Sequence, residues 1–174
     1  MIFLDLETTS LNPEIGIIAC IGVFLPDGER KFFFSEKGRE KNTIREFAKI
    51  LKKFRGEKIV IWYSNFDIPF LVTRAIKHNI DISEIYDFEI IDLCKLVREN
   101  LRLTSNKLED VARFLGIEKN VKISGKMVHQ LYLEALKGNK EARKKIILHC
   151  EDDLRAMEEV FKKLKPYVEK WLTT

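Results

Sequence analysis

Two carboxylates stand two residues apart near the start of the chain, at Asp5 and Glu7. The dense apolar run around them predicts a buried strand over residues 1–7. Successive side chains of a strand point to opposite faces, so Asp5 and Glu7 share one face while Leu4 and Leu6 share the other. Two like charges buried on one face cost several kcal/mol unless an opposite charge offsets them. A divalent cation is the usual solution, and the pair therefore predicts a metal site.

A third acid, Asp67, follows a strongly apolar strand predicted over residues 58–63 and opens a helix predicted over residues 67–78. One interpretation is an N-cap or first-turn acid, which stabilises a helix by about 0.5–2 kcal/mol. The other is a functional residue, because open α/β sheets build their sites at the carboxyl ends of their strands. The sequence leaves both interpretations open.

A late helix, predicted over residues 139–165, carries the remaining candidates. At about 100° per residue, Asp153 falls inside the apolar stripe of this helix, where a carboxylate needs a partner. Asp152 falls on the opposite side, which predicts a solvated surface charge. His149 lies one turn before Asp153 on nearly the same face. A lone histidine at such an edge is more often structural, but this neighbour makes His149 a candidate for catalysis.

Four inward acids and one histidine suit phosphoryl chemistry with two metal ions. Hard cations take several carboxylate oxygens and retain water molecules. Two such ions, about 4 Å apart, stabilise the attacking and leaving oxygens. A histidine beside them can take a proton from water near neutral pH. The pattern therefore predicts a two-metal site for phosphoryl chemistry.

The other elements complete an α/β pattern. Three strands with turn chemistry between the second and third come first, a strand–helix–strand unit follows, and the rest is mostly helical. Strands are predicted over residues 1–7, 15–25, 30–35, 58–63 and 88–91. Helices are predicted between a cap at 42–43 and Gly56, and over 67–78, 92–99, 107–115, 126–137 and 139–165. This order predicts an α/β sandwich with a mixed sheet.

The bulk properties limit the class of protein. A chain of 174 residues with 45% hydrophobic and 33% charged residues predicts one globular domain over residues 1–174 and excludes a disordered chain. No stretch approaches the roughly 20 apolar residues of a membrane span. A strand that begins at Met1 leaves no room for a signal peptide, which predicts a cytoplasmic protein. The net charge of +4 is compatible with a nucleic-acid partner.

The acidic segments resemble the motifs of the DEDD superfamily of 3′–5′ exonucleases, which have an RNase H-like fold. The run from Phe3 to Leu11 is very similar to that family's first motif, Asp-x-Glu followed by Thr-Thr-Gly-Leu. Residues 65–67 look like the second motif, and His149 with Asp153 looks like the third. Two further similar segments are residues 91–93 and 107–117. The resemblance covers nearly the whole chain and implies an RNase H-like mixed sheet flanked by helices.

The resemblance also implies a metal-dependent exonuclease that releases mononucleotides from 3′ ends. It implies that Asp5, Glu7, Asp67 and Asp153 bind two Mg²⁺ or Mn²⁺ ions. Glu7 and His149 would be the catalytic residues, with His149 as the general base, as in the histidine branch of the family. That branch usually has five positions from histidine to aspartate, and this chain has four. Positions i and i+4 share a helix face, so the geometry remains sound.

The family further implies residues that hold the 3′ end. Thr8 would offer its backbone to the terminal nucleotide, and Leu11 would wedge against the last base. Asn65 and Phe66 would line the same pocket. The alternative for these residues is a turn and ordinary core packing.

The resemblance to proofreading domains favours single-stranded DNA as the partner, although the motifs do not distinguish DNA from RNA. Three alternatives remain: an exoribonuclease, an RNase H-like endonuclease, and a non-catalytic nucleic-acid-binding or polymerase-accessory module. Lys119, Lys122 and Lys126 are candidates for steering a phosphate backbone, with plain lysine-rich surface as the other interpretation.

Overall fold

The computed structural model describes residues 1–121, 123 and 125–172, so Lys122 lies outside the described residues. The strands within this part of the chain are β1 (Ile2–Thr8), β2 (Ile18–Phe24), β3 (Arg30–Phe34), β4 (Lys58–Ile61) and β5 (Glu89–Asp92). The α-helices are α1 (Glu40–Lys53), α2 (Ser64–Lys77), α3 (Leu93–Asn100), α4 (Leu108–Phe114), α5 (Gly125–Leu136) and α6 (Lys140–Trp171). Two short 3₁₀ helices cover Glu36–Gly38 and Ser83–Asp87.

The five strands form one sheet in the order β3-β2-β1-β4-β5. β2 pairs antiparallel with both β1 and β3, whereas β4 runs parallel to β1 and β5 runs parallel to β4. Helices α3 to α6 cover one face of this sheet, and α1 and α2 cover the other. The predicted α/β architecture with a mixed sheet is confirmed.

The central strand β1 sends its side chains alternately into the two layers. Leu4 and Leu6 are buried against α1 and α2. Phe3 points to the other layer, where its ring meets that of Phe161 on α6 edge-on, with centroids 5.7 Å apart. Asp5 lies two residues after Phe3, so its side chain points to the same layer and faces α6, as the alternation predicts.

Several predicted boundaries differ from the structure, and three of the differences have a clear physical reason. β2 begins at Ile18 rather than at residue 15, because residues 9–17 form a loop closed by backbone and side-chain hydrogen bonds. α2 begins at Ser64, so the acid at position 67 lies inside the first turn. α6 continues through Pro166 to Trp171, because Val168 beyond the proline is still buried in the core.

A buried ion cluster fastens the loop that follows β1. The Arg74 guanidinium on α2 donates to both carboxylate oxygens of Glu40 on α1, with distances of 2.6–3.1 Å. Arg74 Nη1 also donates to the carbonyl of Pro13 at 2.9 Å, and Glu40 accepts from the Ile18 backbone N–H at 2.6 Å. His78 Nε2 lies 2.7 Å from the same carboxylate. The loop is therefore tied to the layer formed by α1 and α2.

Helix α6 crosses β2 at Gly22, where the sheet and helix approach too closely for a side chain. A Cβ atom at this position would overlap Cys150 Sγ and would lie 2.7 Å from Leu154 Cδ1. The missing side chain lets α6 lie directly on the sheet, beside the two carboxylates of β1.

Replacement of Gly22 by alanine tests this close approach. We expect Gly22→Ala to lower the free energy of unfolding by about 1–3 kcal/mol, because the helix must shift or the core must strain. Urea denaturation measures the change. Gly125→Ala is the matched control, because no described atom beyond its chain neighbours and its own helix backbone lies within 4 Å of its added Cβ and alanine favours helix. Equal stability of Gly22→Ala and the unaltered chain would contradict the packing described here.

Candidate active site

Strand β1 supplies the first two acids of the site. Asp5 pairs in register with Gly22, and Glu7 pairs with Cys20, so both acids lie opposite small residues of β2. The register slips between Glu7 and Thr8, where the strand gives way to the loop. Glu7 is 4% exposed. The strand therefore holds two carboxylates side by side beneath α6.

Helix α6 supplies a histidine and a third acid. His149 Nε2 lies 3.7 Å from Glu7 Oε1, and His149 Nδ1 lies 3.6 Å from Asp153 Oδ1. The imidazole is buried, and its Nδ1 makes no hydrogen bond in the described part of the chain. The four-residue step from His149 to Asp153 spans one helical turn, so both side chains reach the same face.

Burial of these like charges disfavours their ionised forms. Burial, together with the charge of Asp153, raises the pKa of Asp5 to about 7. Burial and the charge of Asp5 raise the pKa of Glu7 well above its ordinary value. Burial lowers the pKa of His149, since a charged imidazole would lose its hydration. The histidine is therefore neutral at neutral pH, and the acids need an opposite charge to be ionised there.

The acids of β1 leave ligand capacity unused. Asp5 Oδ2 is buried, and within the described residues it has no hydrogen-bond partner. Oxygens of Asp5 and Glu7 and the Sγ atom of Cys150 lie within 4.8 Å of one another. Clustered carboxylate oxygens are the ligands that Mg²⁺ and Mn²⁺ prefer. The residues present therefore fit a divalent cation.

The fourth acid of the predicted set, Asp67, lies in the first turn of α2 and is 7% exposed. Burial and the charge of Asp5 raise the pKa of Asp67 well above its ordinary value. The turn that carries it is held by Asp92, whose Oδ2 accepts from the N–H and the Oγ–H of Ser64, both at 2.8 Å. Tyr63, just before this turn, has a left-handed φ of 98°.

The ammonium of Lys119 forms an ion pair with Asp153. Lys119 belongs to the loop between α4 and α5, and its side chain is 15% exposed. It lines the same groove as the acids and His149. A lysine that the sequence left open between backbone steering and plain surface charge thus lies in direct contact with an acid of the site.

The prediction that Asp152 is a solvated surface charge is wrong. Asp152 is 5% exposed, and its Oδ2 accepts from the backbone N–H groups of Asn120 and Val121 at 2.8 and 3.0 Å. Its Oδ1 accepts from Arg155 at 2.8 Å. Helical phase placed Asp152 away from the sheet correctly, but the α4–α5 loop packs over that side of α6.

An open groove of about 750 Å³ extends from the acids. It takes in the predicted substrate residues Thr8 and Leu11, and the Leu11 side chain is 85% exposed. Phe66 also lines the groove, and its ring lies 5.5 Å from that of Phe70. Asn65 is exposed on α2 but is not among the described residues that line the groove. Among the described residues, the groove is lined by Asp5, Leu6, Glu7, Thr8, Thr9, Ser10, Leu11, Phe66, Lys107, Leu108, Glu109, Lys119, Ile123, Gly125, Lys126, His129, His149 and Asp153.

Sequence reasoning missed the contacts that support the site. Nothing in the spacing of Cys150 indicated a thiol beside Asp5. The Asp92–Ser64 contact was also missed, and Asp92 additionally caps α3 through the Lys95 N–H. The one available signal for Lys119 was the pair of adjacent acids at 152 and 153, which need a cation nearby.

Comparisons with known proteins agree with the fold described above. A family model described as the RNase H superfamily matches residues 2–165. A protein of Methanocaldococcus jannaschii is 30% identical over 164 residues, which are 91% of this chain and 92% of that protein. In the described part of this chain, the helices are too short or too polar to cross a membrane.

Two solved structures share the fold. The family B DNA polymerase of the hyperthermophilic archaeon Pyrobaculum calidifontis matches with a TM-score of 0.82 and 23% identity, over 95% of this chain and 24% of the polymerase chain. The chain thus spans about a quarter of that polymerase's length. The Nibbler EXO domain of Aedes aegypti matches with a TM-score of 0.57 and 14% identity, over 99% of this chain and 85% of that domain. With the family model covering nearly its whole length, this chain belongs to the RNase H superfamily.

Proposed function

We propose that this protein is a metal-dependent 3′–5′ exonuclease that releases mononucleotides from single-stranded DNA. The observation that carries the proposal is the arrangement at the floor of the groove. Asp5 and Glu7 lie side by side on β1. The His149 imidazole of α6 lies between them and Asp153, 3.7 Å from Glu7 Oε1 and 3.6 Å from Asp153 Oδ1. Buried acids, a neutral histidine and an open groove are what hydrolysis of a phosphodiester requires.

Four acids would hold two Mg²⁺ or Mn²⁺ ions: Asp5, Glu7, Asp67 and Asp153. The unpartnered Asp5 Oδ2 supports this assignment, because a buried carboxylate oxygen without a donor is costly unless a cation binds it. Bound at these acids, two such ions supply the charge that stabilises the attacking and leaving oxygens.

His149 would act as the general base. Its lowered pKa keeps the imidazole neutral at neutral pH, so a nitrogen is free to accept a proton from the attacking water. Glu7 and Asp153 on either side of the ring would stabilise the imidazolium that forms. Because Nδ1 has no hydrogen-bond partner among the described residues, no backbone carbonyl there fixes the tautomer of the ring.

The groove would receive the 3′ end of the strand. Leu11 projects from the loop after β1 with most of its surface uncovered, as a side chain that wedges against a base must do. Thr8 lies at the end of β1, where its backbone would meet the terminal nucleotide. Phe66 would pack beside the sugar or base, and Asn65 would reach the same end from the first turn of α2.

The similarity to a DNA polymerase chain favours DNA, and the similarity to the Nibbler EXO domain favours an exonuclease. An exoribonuclease with the same residues is the second candidate. End-labelled single-stranded DNA, duplex DNA, RNA of matched sequence and circular single-stranded DNA separate the candidates. A stepwise ladder from linear DNA supports the proposal, cutting of circles indicates an endonuclease, and binding without cleavage indicates a non-catalytic module.

The metal acids are tested by single amide substitutions in the DNA assay. We expect Asp5→Asn and Asp153→Asn to lower the rate of mononucleotide release by roughly 10³-fold or more, because each removes a charged metal ligand. Glu151→Gln is the matched control on the same helix, since Glu151 pairs with Arg30 on the surface. Full activity in both Asp5→Asn and Asp153→Asn would contradict the proposal.

The pH dependence of stability tests the buried charge of Asp5. Its folded-state pKa of about 7 exceeds the ordinary value of 3.8, so the stability that protonation provides is lost progressively as the pH rises from 3.8 to about 7. In the absence of metal, we expect Asp5→Asn to be more stable than the unaltered chain above pH 7, and this difference should shrink as the pH falls and vanish below the ordinary pKa of 3.8. Addition of Mn²⁺ should raise the melting temperature of the unaltered chain above pH 7 and change that of Asp5→Asn much less. The reverse order of stabilities would show that Asp5 is not a costly charge.

The role of His149 is tested by the pH profile of the rate. We expect His149→Gln to lower the rate about 10²- to 10⁴-fold, as loss of a general base does. In the unaltered chain the rate should stay high as the pH falls to the ordinary histidine pKa of 6.5, since the pKa of His149 lies lower. The acid limb of the profile should disappear in His149→Gln. An unchanged limb in the variant would assign the proton transfer to another group.

A further inference from the structure

The ammonium of Lys119 pairs with Asp153, an acid that the proposed metal site needs as a ligand. The two charged groups are in contact although 34 residues separate them in the chain. Their side chains are 15% and 20% exposed, so water screens the pair only in part. Lys119 is the cation whose charge acts on both acids of β1: burial raises the pKa of Asp5 and of Glu7, and the Lys119 ammonium opposes both rises.

Hydrogen bonds to side chains of α6 fix the backbone beside Lys119. Asp152 accepts two backbone N–H groups from the residues that follow Lys119, at 2.8 and 3.0 Å. Arg155 binds Asp152 and also donates to the carbonyl of Glu118, the residue before Lys119. The backbone is therefore clamped to α6 on both sides of the lysine. Of these two adjacent acids, Asp152 holds the backbone of the loop and Asp153 pairs with the Lys119 ammonium.

A lysine ammonium and a divalent ion compete for Asp153 when both lie close to this carboxylate. Two cations at one carboxylate repel each other strongly in a poorly hydrated site, because the dielectric screening there is weaker than in water. Asp153 Oδ1 is also the oxygen that faces His149 Nδ1, so the lysine contacts the oxygen on the catalytic side of the carboxylate.

We propose that Lys119 is a built-in counter-ion that competes with the metal for Asp153 and is displaced into the groove when the metal binds. The inference rests on the proposed function, since it takes the four acids as a metal site. Lys119 would hold the acids together in the metal-free protein and would set the affinity of the metal that replaces it.

Calorimetric titration with Mn²⁺ tests the competition without any substrate. We expect Lys119→Met to bind Mn²⁺ about tenfold more tightly than the unaltered chain, as loss of a partly buried competing ion pair allows. Lys126→Met is the matched control, because Lys126 lines the same groove but is exposed. It measures the effect of removing a positive charge from the groove without removing the ion pair. Equal tightening in both lysine variants would overturn the proposal.

A second variant keeps the test independent of folding. Lys119→Gln retains a polar side chain of similar reach and should tighten Mn²⁺ binding by a similar factor, and circular dichroism confirms that each variant is folded. Equal affinity of both Lys119 variants and the unaltered chain would overturn this inference alone. If none of the proteins binds Mn²⁺, the proposed two-metal site fails as well.

Chemical labelling follows the displacement directly. Acetic anhydride modification, read by peptide mass spectrometry, should label Lys119 several-fold faster when Mn²⁺ is present. Lys95 on the surface of α3 serves as the internal reference, because its exposure does not depend on the site. A rate at Lys119 that is unchanged or lowered by Mn²⁺ would show that the ammonium stays on Asp153.

Discussion

Mutual repulsion of buried carboxylates is the constraint that the packing of the rest of this structure must overcome. Asp5 and Glu7 share a face of the central strand, and α6 brings Asp153 against them. Gly22 lets the helix approach this closely, and a larger residue there would push α6 and its acid away from the sheet. Packing against α6 and the sheet holds these charges in place although their repulsion opposes it. The site is thus a place where core packing is used to concentrate negative charge.

Much of this could be predicted from sequence, because two periodicities determine which side chains share a face. Alternation along β1 predicted that Asp5 and Glu7 point to one layer and Leu4 to the other. The phase of α6 predicted that His149 and Asp153 face the sheet. Both arguments concern one element at a time, and they hold because β1 is central and α6 is long.

The remainder depended on contacts between distant segments, which periodicity does not encode. Asp152 was assigned to solvent because its side of α6 faces away from the sheet, yet the α4–α5 loop covers that side. The ion pair of Lys119 with Asp153 depends on the same loop. The extension of α6 past Pro166 was missed because a proline usually ends a helix, whereas burial of Val168 outweighs the lost hydrogen bond here.

The Glu40–Arg74 ion cluster should make one part of the groove, the loop that carries Leu11, more resistant to heat than the rest. The loop that carries Leu11 is held to the layer formed by α1 and α2, because Arg74 of the buried pair also donates to the Pro13 carbonyl. The cost of removing charged groups from water falls as temperature rises, while the hydrophobic contribution levels off. Warming therefore strengthens this fastening relative to the apolar contacts elsewhere in the fold. The part of the groove formed by the Leu11 loop should keep its shape at temperatures where loops held only by apolar contacts begin to loosen.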